Sequence, residues 1–151
     1  MFMSETITVG WPEIRTSFQD VLRTENVESC IAVAMSNGRV HALAHIPPAT
    51  VDPDFTNIPR LSDFFLSLRS LFPSGFSTTI AGGWSGHSEF LEDGIRKAIL
   101  YMNGTIVGQD LYGSISRRHV TLYPDGSVKI ERFTRQDGVY IPTTSCALSL
   151  L

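Results

Sequence analysis

Six consecutive residues, Cys30-Ile31-Ala32-Val33-Ala34-Met35, are apolar without alternation. A strand turns successive side chains to opposite faces, so an unbroken apolar run of this length needs cover on both sides. The run suits a strand covered on both sides, with protein above and below it in a layered α/β fold. Asn37-Gly38 then signals a tight hairpin turn. The return segment, Arg39 to Ile46, puts His41, Leu43 and His45 on one face and Val40, Ala42, Ala44 and Ile46 on the other, before Pro47-Pro48 end it. A hairpin centred on Asn37-Gly38 pairs residues whose numbers sum to about 75, which sets Cys30 almost opposite His45.

The rest of the chain supplies the cover. Thr6–Val9 and Val21–Thr24 have strand composition and flank a Trp11-Pro12 turn and a stretch without clear pattern. The Pro-rich segment from Pro47 to Pro59 reads as a loop, after which Ser62 caps a helix whose apolar face carries Phe65, Leu66, Leu68 and Leu71. Phe76–Ala81 reads as a further central strand running into Gly82-Gly83-Trp84-Ser85-Gly86. A second helix is predicted from about Ser88 to Met102, with Phe90, Leu91, Ile95, Ala98 and Ile99 at helical spacing and Asn103-Gly104 as its stop. A strand at Thr105–Gln109 follows, then a hairpin of Arg118–Tyr123 and Val128–Phe133 about the turn Pro124-Asp125-Gly126. The tail from Arg135 to Leu151 is weakly patterned. These elements predict an α/β (α+β) fold, a layered sandwich of mixed, mostly antiparallel sheet with two main helices, formed by residues 1–151 as one domain.

Composition narrows the partners. With 42% apolar and 18% charged residues and a mean hydropathy of +0.06, the 151-residue chain has the balance of a globular protein that folds without staples. A net charge of −3 offers no footprint for a phosphate backbone, so nucleic acid is not an expected partner, and Arg117-Arg118-His119 reads as a solvated strand end. No apolar run reaches the roughly 18–20 residues of a spanning helix, so membrane insertion is not expected. Met1–Glu5 has neither the basic region nor the long apolar stretch of a secretory signal. The expected location is the cytoplasm of the producing cell, any delivery to a host using a non-classical route. Cys30 and Cys146 are read as reduced thiols, and a monomer is expected.

Three residues carry chemistry together. A lone cysteine in an apolar strand is most often a small core residue, but Cys30 follows the loop Glu25-Asn26-Val27-Glu28-Ser29, where a side chain can face a cleft and backbone N–H groups can meet an oxyanion. His45 alone reads as a satisfied core histidine, yet the hairpin offers it as the base a thiol nucleophile needs. Thr24, ending the strand before the loop, has the hydroxyl to orient that histidine. A zinc site from His41, His45 and Cys30 fails on distance, because four residues along a strand separate the imidazoles by about 13 Å. No metal or other cofactor is therefore expected. Gly83-Trp84-Ser85-Gly86-His87 falls one glycine short of a serine-hydrolase elbow and reads as a close-packed strand-to-helix turn beside the cleft.

Thr24, the loop into Ser29-Cys30, the apolar strand and Ala44-His45-Ile46-Pro47 together resemble the chemoreceptor glutamine deamidases of the CheD family. Ile80-Ala81-Gly82-Gly83, the helix from Ser88 and the stretch Ile106–Ile130 extend the resemblance to roughly two-thirds of the chain. It implies a CheD-like fold, with Cys30 as nucleophile, His45 as base and Thr24 as the third member of a catalytic set that deamidates glutamine on a protein substrate. The chain departs from the family at Val27-Glu28 before Ser29-Cys30, at His41-Ala42-Leu43, and at Gly86-His87-Ser88, where the family has Arg-Asn. A similar Cys-His core occurs in bacterial toxins such as the cytotoxic necrotizing factors and the Burkholderia lethal factor, so divergence around an intact set implies a changed target. The resemblance leaves open a toxin or effector acting on a host protein, a chemotaxis enzyme, a transglutaminase, and a non-catalytic binding module.

Overall fold

The computed structural model describes residues 5–54 and 58–151. Met1–Ser4, on which most of the export reading rests, and residues 55–57 of the Pro-rich stretch lie outside them. In chain order the elements are β1 (Thr6–Thr8), β2 (Ile14–Ser17), β3 (Val21–Val27), β4 (Ile31–Ser36), β5 (His41–Ile46), a 3-10 turn (Pro48–Val51), α1 (Leu61–Leu66), β6 (Phe76–Gly82), α2 (Glu89–Tyr101), β7 (Gly104–Leu111), β8 (Ser116–Leu122), β9 (Ser127–Gln136) and β10 (Val139–Ser149). They form two five-stranded sheets, ordered β1-β3-β8-β9-β10 and β2-β5-β4-β6-β7. β1 with β3 and β6 with β7 run parallel, and the other pairings are antiparallel.

The unbroken apolar run is explained by its place. Every residue of β4 and β5 is buried. One face of this hairpin, with Ile31, Val33, Met35, Ala42, Ala44 and Ile46, packs under the helices through Phe64, Phe65, Leu91, Ile95 and Ile99. The other, with Cys30, Ala32, Ala34 and Leu43, packs on Leu22, Val120, Leu122, Val128 and Ile130 of the first sheet. The layers are thus helices, second sheet, first sheet, the mixed α+β sandwich the sequence predicts. Each fully buried large aliphatic side chain contributes about 1.5–3 kcal/mol, so Leu91, Ile95 and Ile99, spaced four apart, suffice to seat α2.

Several local expectations are corrected. The β4–β5 hairpin pairs Ala32 with His45 and Ile31 with Ile46, so paired numbers sum to 77 rather than 75. The turn is centred on Gly38-Arg39 instead of Asn37-Gly38. Gly38 has φ +90°, and the Asn37 Oδ1 accepts from the N–H groups of Arg39 and Val40, drawing the asparagine out of the turn centre into its first flank. In α1, Arg60 and not Ser62 stands at the N-cap, its N–H donating to the Asp63 carboxylate at 3.2 Å. The short helix buries Leu61, Phe64 and Phe65, in line with Leu68, and leaves Leu66 in solvent, because Leu66 falls off that i, i+3, i+4, i+7 stripe. Phe90, assigned to the inner face of α2, is likewise exposed, one position off the Leu91-Ile95-Ile99 stripe.

The basic cluster and the tail also differ from expectation. Arg118 is completely buried: its guanidinium donates to Asp110 at 3.0 Å, to Ser116 Oγ at 3.0 Å and to the Tyr112 carbonyl at 2.8 Å. A buried charge is tolerated only when paired and hydrogen-bonded in this way. The unpatterned stretch before β3 contains β2, and the tail contains β10, an edge strand exposed at most positions and therefore without the alternation that marks a half-buried strand.

Candidate functional site

The site forms where β3 of the first sheet faces β5 of the second. β3 pairs with β8 through Leu22–Thr24, then slips by one residue before Val27 meets Arg118. This bulge at Glu25-Asn26, with Asn26 at φ +56°, follows Thr24 immediately and fixes where that side chain points. Thr24 is fully buried, and its Oγ1 lies 2.7 Å from the Val9 carbonyl and 2.7 Å from His45 Nδ1. A threonine hydroxyl has one proton, and a carbonyl can only accept. Both bonds are satisfied when the hydroxyl donates to Val9 and accepts from Nδ1–H. The tautomer follows: His45 carries its proton on Nδ1 and presents Nε2 as a lone pair.

His45 is 4% exposed, and burial among apolar neighbours lowers its pKa from 6.5 to about 4. It is a neutral base near pH 7. Cys30 precedes β4 on the same inner face, two residues from Ala32, the partner of His45. It is therefore the diagonal neighbour of the histidine rather than its opposite, at about 7–8 Å between backbones, a span an imidazole bridges in large part. Among the described residues no hydrogen bond links the thiol to the imidazole. Burial pushes the Cys30 thiol up to about 12, and the Glu28 carboxylate adds to the rise. At rest the pair is thiol and neutral imidazole. A preformed ion pair is disfavoured from both sides.

The Cys30 turn is held from behind. Gly83 N–H is shared between the carbonyls of Glu28 and Cys30, each at 2.9 Å, and Ser88 Oγ donates to the Ser29 carbonyl at 2.7 Å while accepting from Trp84 N–H. Gly82 has φ +117°, and a Cβ there would lie 2.6 Å from the Cys30 carbonyl oxygen, so the close approach of β6 to the turn requires glycine. The N–H groups of Ser29 and Cys30 donate to no backbone carbonyl among the described residues. On the flank, Glu28 accepts from the Tyr140 hydroxyl at 2.8 Å, and Arg117 stacks over the Tyr140 ring at 4.1 Å. A cavity of about 540 Å³ at the far end of β4, between Ser36, Phe76 and Asn103, contains no His, Cys, Asp or Glu in its lining.

Thr24 and His45 are thus brought into contact, and Cys30 is placed beside them on one face. Sequence reasoning missed Val9 and Tyr140, since a backbone acceptor and an aromatic residue far along the chain leave no spacing signal. Ser88, read as the start of α2, spends its hydroxyl on the Cys30 turn instead of capping its helix.

No family model matches the chain, and no curated protein does. Among solved structures, the C-terminal domain of CNFy from Yersinia pseudotuberculosis superimposes with a TM-score of 0.40 at 9% identity, over 95% of this chain. The chain spans 61% of the length of that domain. No helix of the described residues is long and apolar enough to cross a membrane.

Proposed function

We propose that this chain is a protein-glutamine deamidase working through a Cys30 thioester, an effector-type enzyme whose substrate is a protein of another cell. One observation carries the reading: the buried Thr24–His45 hydrogen bond, which leaves Nε2 free as a base on the face that carries Cys30. The resemblance of Thr24, Ser29-Cys30 and Ala44-His45 to the CheD-type catalytic set supports the choice of substrate.

In this mechanism His45 Nε2 takes the thiol proton as Cys30 Sγ attacks the carboxamide carbon of a glutamine side chain. The N–H groups of Ser29 and Cys30 meet the oxyanion. Collapse breaks the C–N bond, and ammonia leaves with the proton returned from Nε2. Water, deprotonated by the same nitrogen, attacks the thioester, restores the thiol and leaves glutamate. The raised thiol and depressed imidazole fit proton transfer during the attack rather than before it.

The test is intact-mass analysis of candidate proteins incubated with the wild type or Cys30→Ala. Deamidation adds about one dalton per turnover only with the wild type, an added amine reveals transfer instead, and no change with any candidate removes the proposal. A second reading, a non-catalytic module that retains the fold, is favoured by the 9% exposure of Cys30. Under that reading Cys30→Ala keeps all partner binding and no product ever forms.

A further inference from the structure

The segment that follows β6 grips three successive carbonyls of the Cys30 turn. Those of Glu28 and Cys30 accept from Gly83 N–H at 2.9 Å each, and the one between them, on Ser29, accepts from Ser88 Oγ at 2.7 Å. In extended backbone successive carbonyls point to alternate edges of a strand, so the middle one would ordinarily belong to the other edge. Ser88 draws it toward the start of α2.

The hydroxyl is committed to this bond. Ser88 is fully buried, its Oγ accepts from Trp84 N–H at 2.9 Å, and its one proton therefore goes to the Ser29 carbonyl, which can only accept. Ser88 stands at the N-cap of α2 yet makes no side-chain cap bond, although a serine there ordinarily closes its own helix. Gly83 makes room for it: with φ +86°, a Cβ at that position would lie 3.2 Å from the Ser88 Cβ.

A trans peptide holds its C=O and N–H antiparallel, so a carbonyl pinned on one side turns the N–H of the next residue to the other. The grip on Glu28 thereby directs Ser29 N–H, and the grip on Ser29 directs Cys30 N–H, away from the β6 side. β5 and β6 flank β4 on opposite sides, so both groups turn toward the strand that carries His45. Neither donates to a backbone carbonyl among the described residues, and two successive N–H groups turned one way form an anion-binding concavity. We infer that Ser88 is a positioning residue of the proposed reaction: its hydroxyl pins the peptide between Ser29 and Cys30, so that Cys30 N–H joins Ser29 N–H at the oxyanion formed when Sγ attacks a carbonyl carbon. Without that bond the peptide is free to turn its N–H out of line. This inference rests on the thioester reading.

The test compares two reactions of one sulfur. With p-nitrophenyl acetate the thiol proton passes to His45 Nε2, the S–C bond forms through a tetrahedral oxyanion, and p-nitrophenolate leaves. With iodoacetamide the sulfur displaces iodide and no oxyanion arises. Both rates are measured in a Cys146→Ser background, so that the exposed second thiol does not react, with Cys30→Ala as the blank. Ser88→Ala lowers acylation about 10–100-fold and leaves alkylation within about twofold, because only acylation draws on the aligned donors. Ser88→Gly gives the same split, and glycine serves nearly as well as serine at an N-cap, so the start of α2 is kept. A change by one common factor in both reactions would mean that Ser88 merely braces the turn, and a change in neither that its hydroxyl orients nothing. Either result overturns the inference. Wild-type protein that alkylates at Cys30 but never forms the acetyl thioester sinks the thioester reading, and the inference with it. Acylation at the wild-type rate in both Ser88 variants sinks the inference alone.

Discussion

The two faces of the β4–β5 hairpin differ more than the sequence of either strand suggests. Toward the helices it shows Ile31, Val33, Met35 and Ile46 against Phe64, Phe65, Leu91, Ile95 and Ile99. Toward the first sheet it shows Cys30, His41, His45 and the small Ala32 and Ala34. Alternation along a strand sends every second residue to each side, so a single hairpin serves both purposes. The small residues leave room between the sheets for an imidazole and a threonine to meet. The helix side is apolar packing and the sheet side also carries the proposed set of Cys30, His45 and Thr24, so the faces should be separable by mutation.

The largest effect should come from the inner face. His45→Ala removes the base and lowers turnover by about 10²–10⁴-fold in the intact-mass assay, while urea melts show a far smaller change than an outer-face truncation. Full activity in this variant would break the division. Next, Ile95→Ala on the outer face costs about 2–5 kcal/mol of stability by urea unfolding and leaves the turnover of the folded fraction unchanged. A parallel loss of turnover would mean that the faces are coupled.

The third test is acid. His45 stays neutral down to about pH 4 in the fold, whereas an unfolded histidine takes its proton near 6.5. Between those values the unfolded chain binds more protons, so stability falls as pH drops through the window, by a few kcal/mol in total. His45→Gln removes that contribution, and an unchanged pH profile in the variant contradicts the burial of an uncharged imidazole. Smallest is Thr24→Val, which keeps the shape and deletes the hydroxyl. It leaves His45 Nδ1 and the Val9 carbonyl unpaired, costing about 1–3 kcal/mol and about tenfold in turnover. A loss as large as that of His45→Ala would make Thr24 more than a positioning group.

How far the sequence revealed this follows from the range of each signal. The apolar run at β4 demanded layers because alternation is a local property, and the faces of β5 came out correctly for the same reason. Register failed by two residues because the Asn37 side chain competes for the N–H groups of the turn, a preference invisible in the Asn-Gly pair. The slip preserved facing, since two residues make a full period, and Cys30 stayed on the side of His45. Arg118 looked solvated because its partners, Asp110 and the Tyr112 carbonyl, become neighbours only when β7 and β8 fold together. β10 escaped notice because an edge strand exposed on both faces carries no period at all.

The bond from Tyr140 to Glu28 joins residues 112 positions apart, and it grips the turn that carries Cys30. Contacts so distant along a chain close late, after the loop entropy between them has been offset by other structure. On the ribosome, then, the turn and its braces at Gly83 and Ser88 emerge before the strand that supplies the Tyr140 clamp. Docking of β10 therefore adds an outer brace to a turn that Gly83 and Ser88 already hold from within.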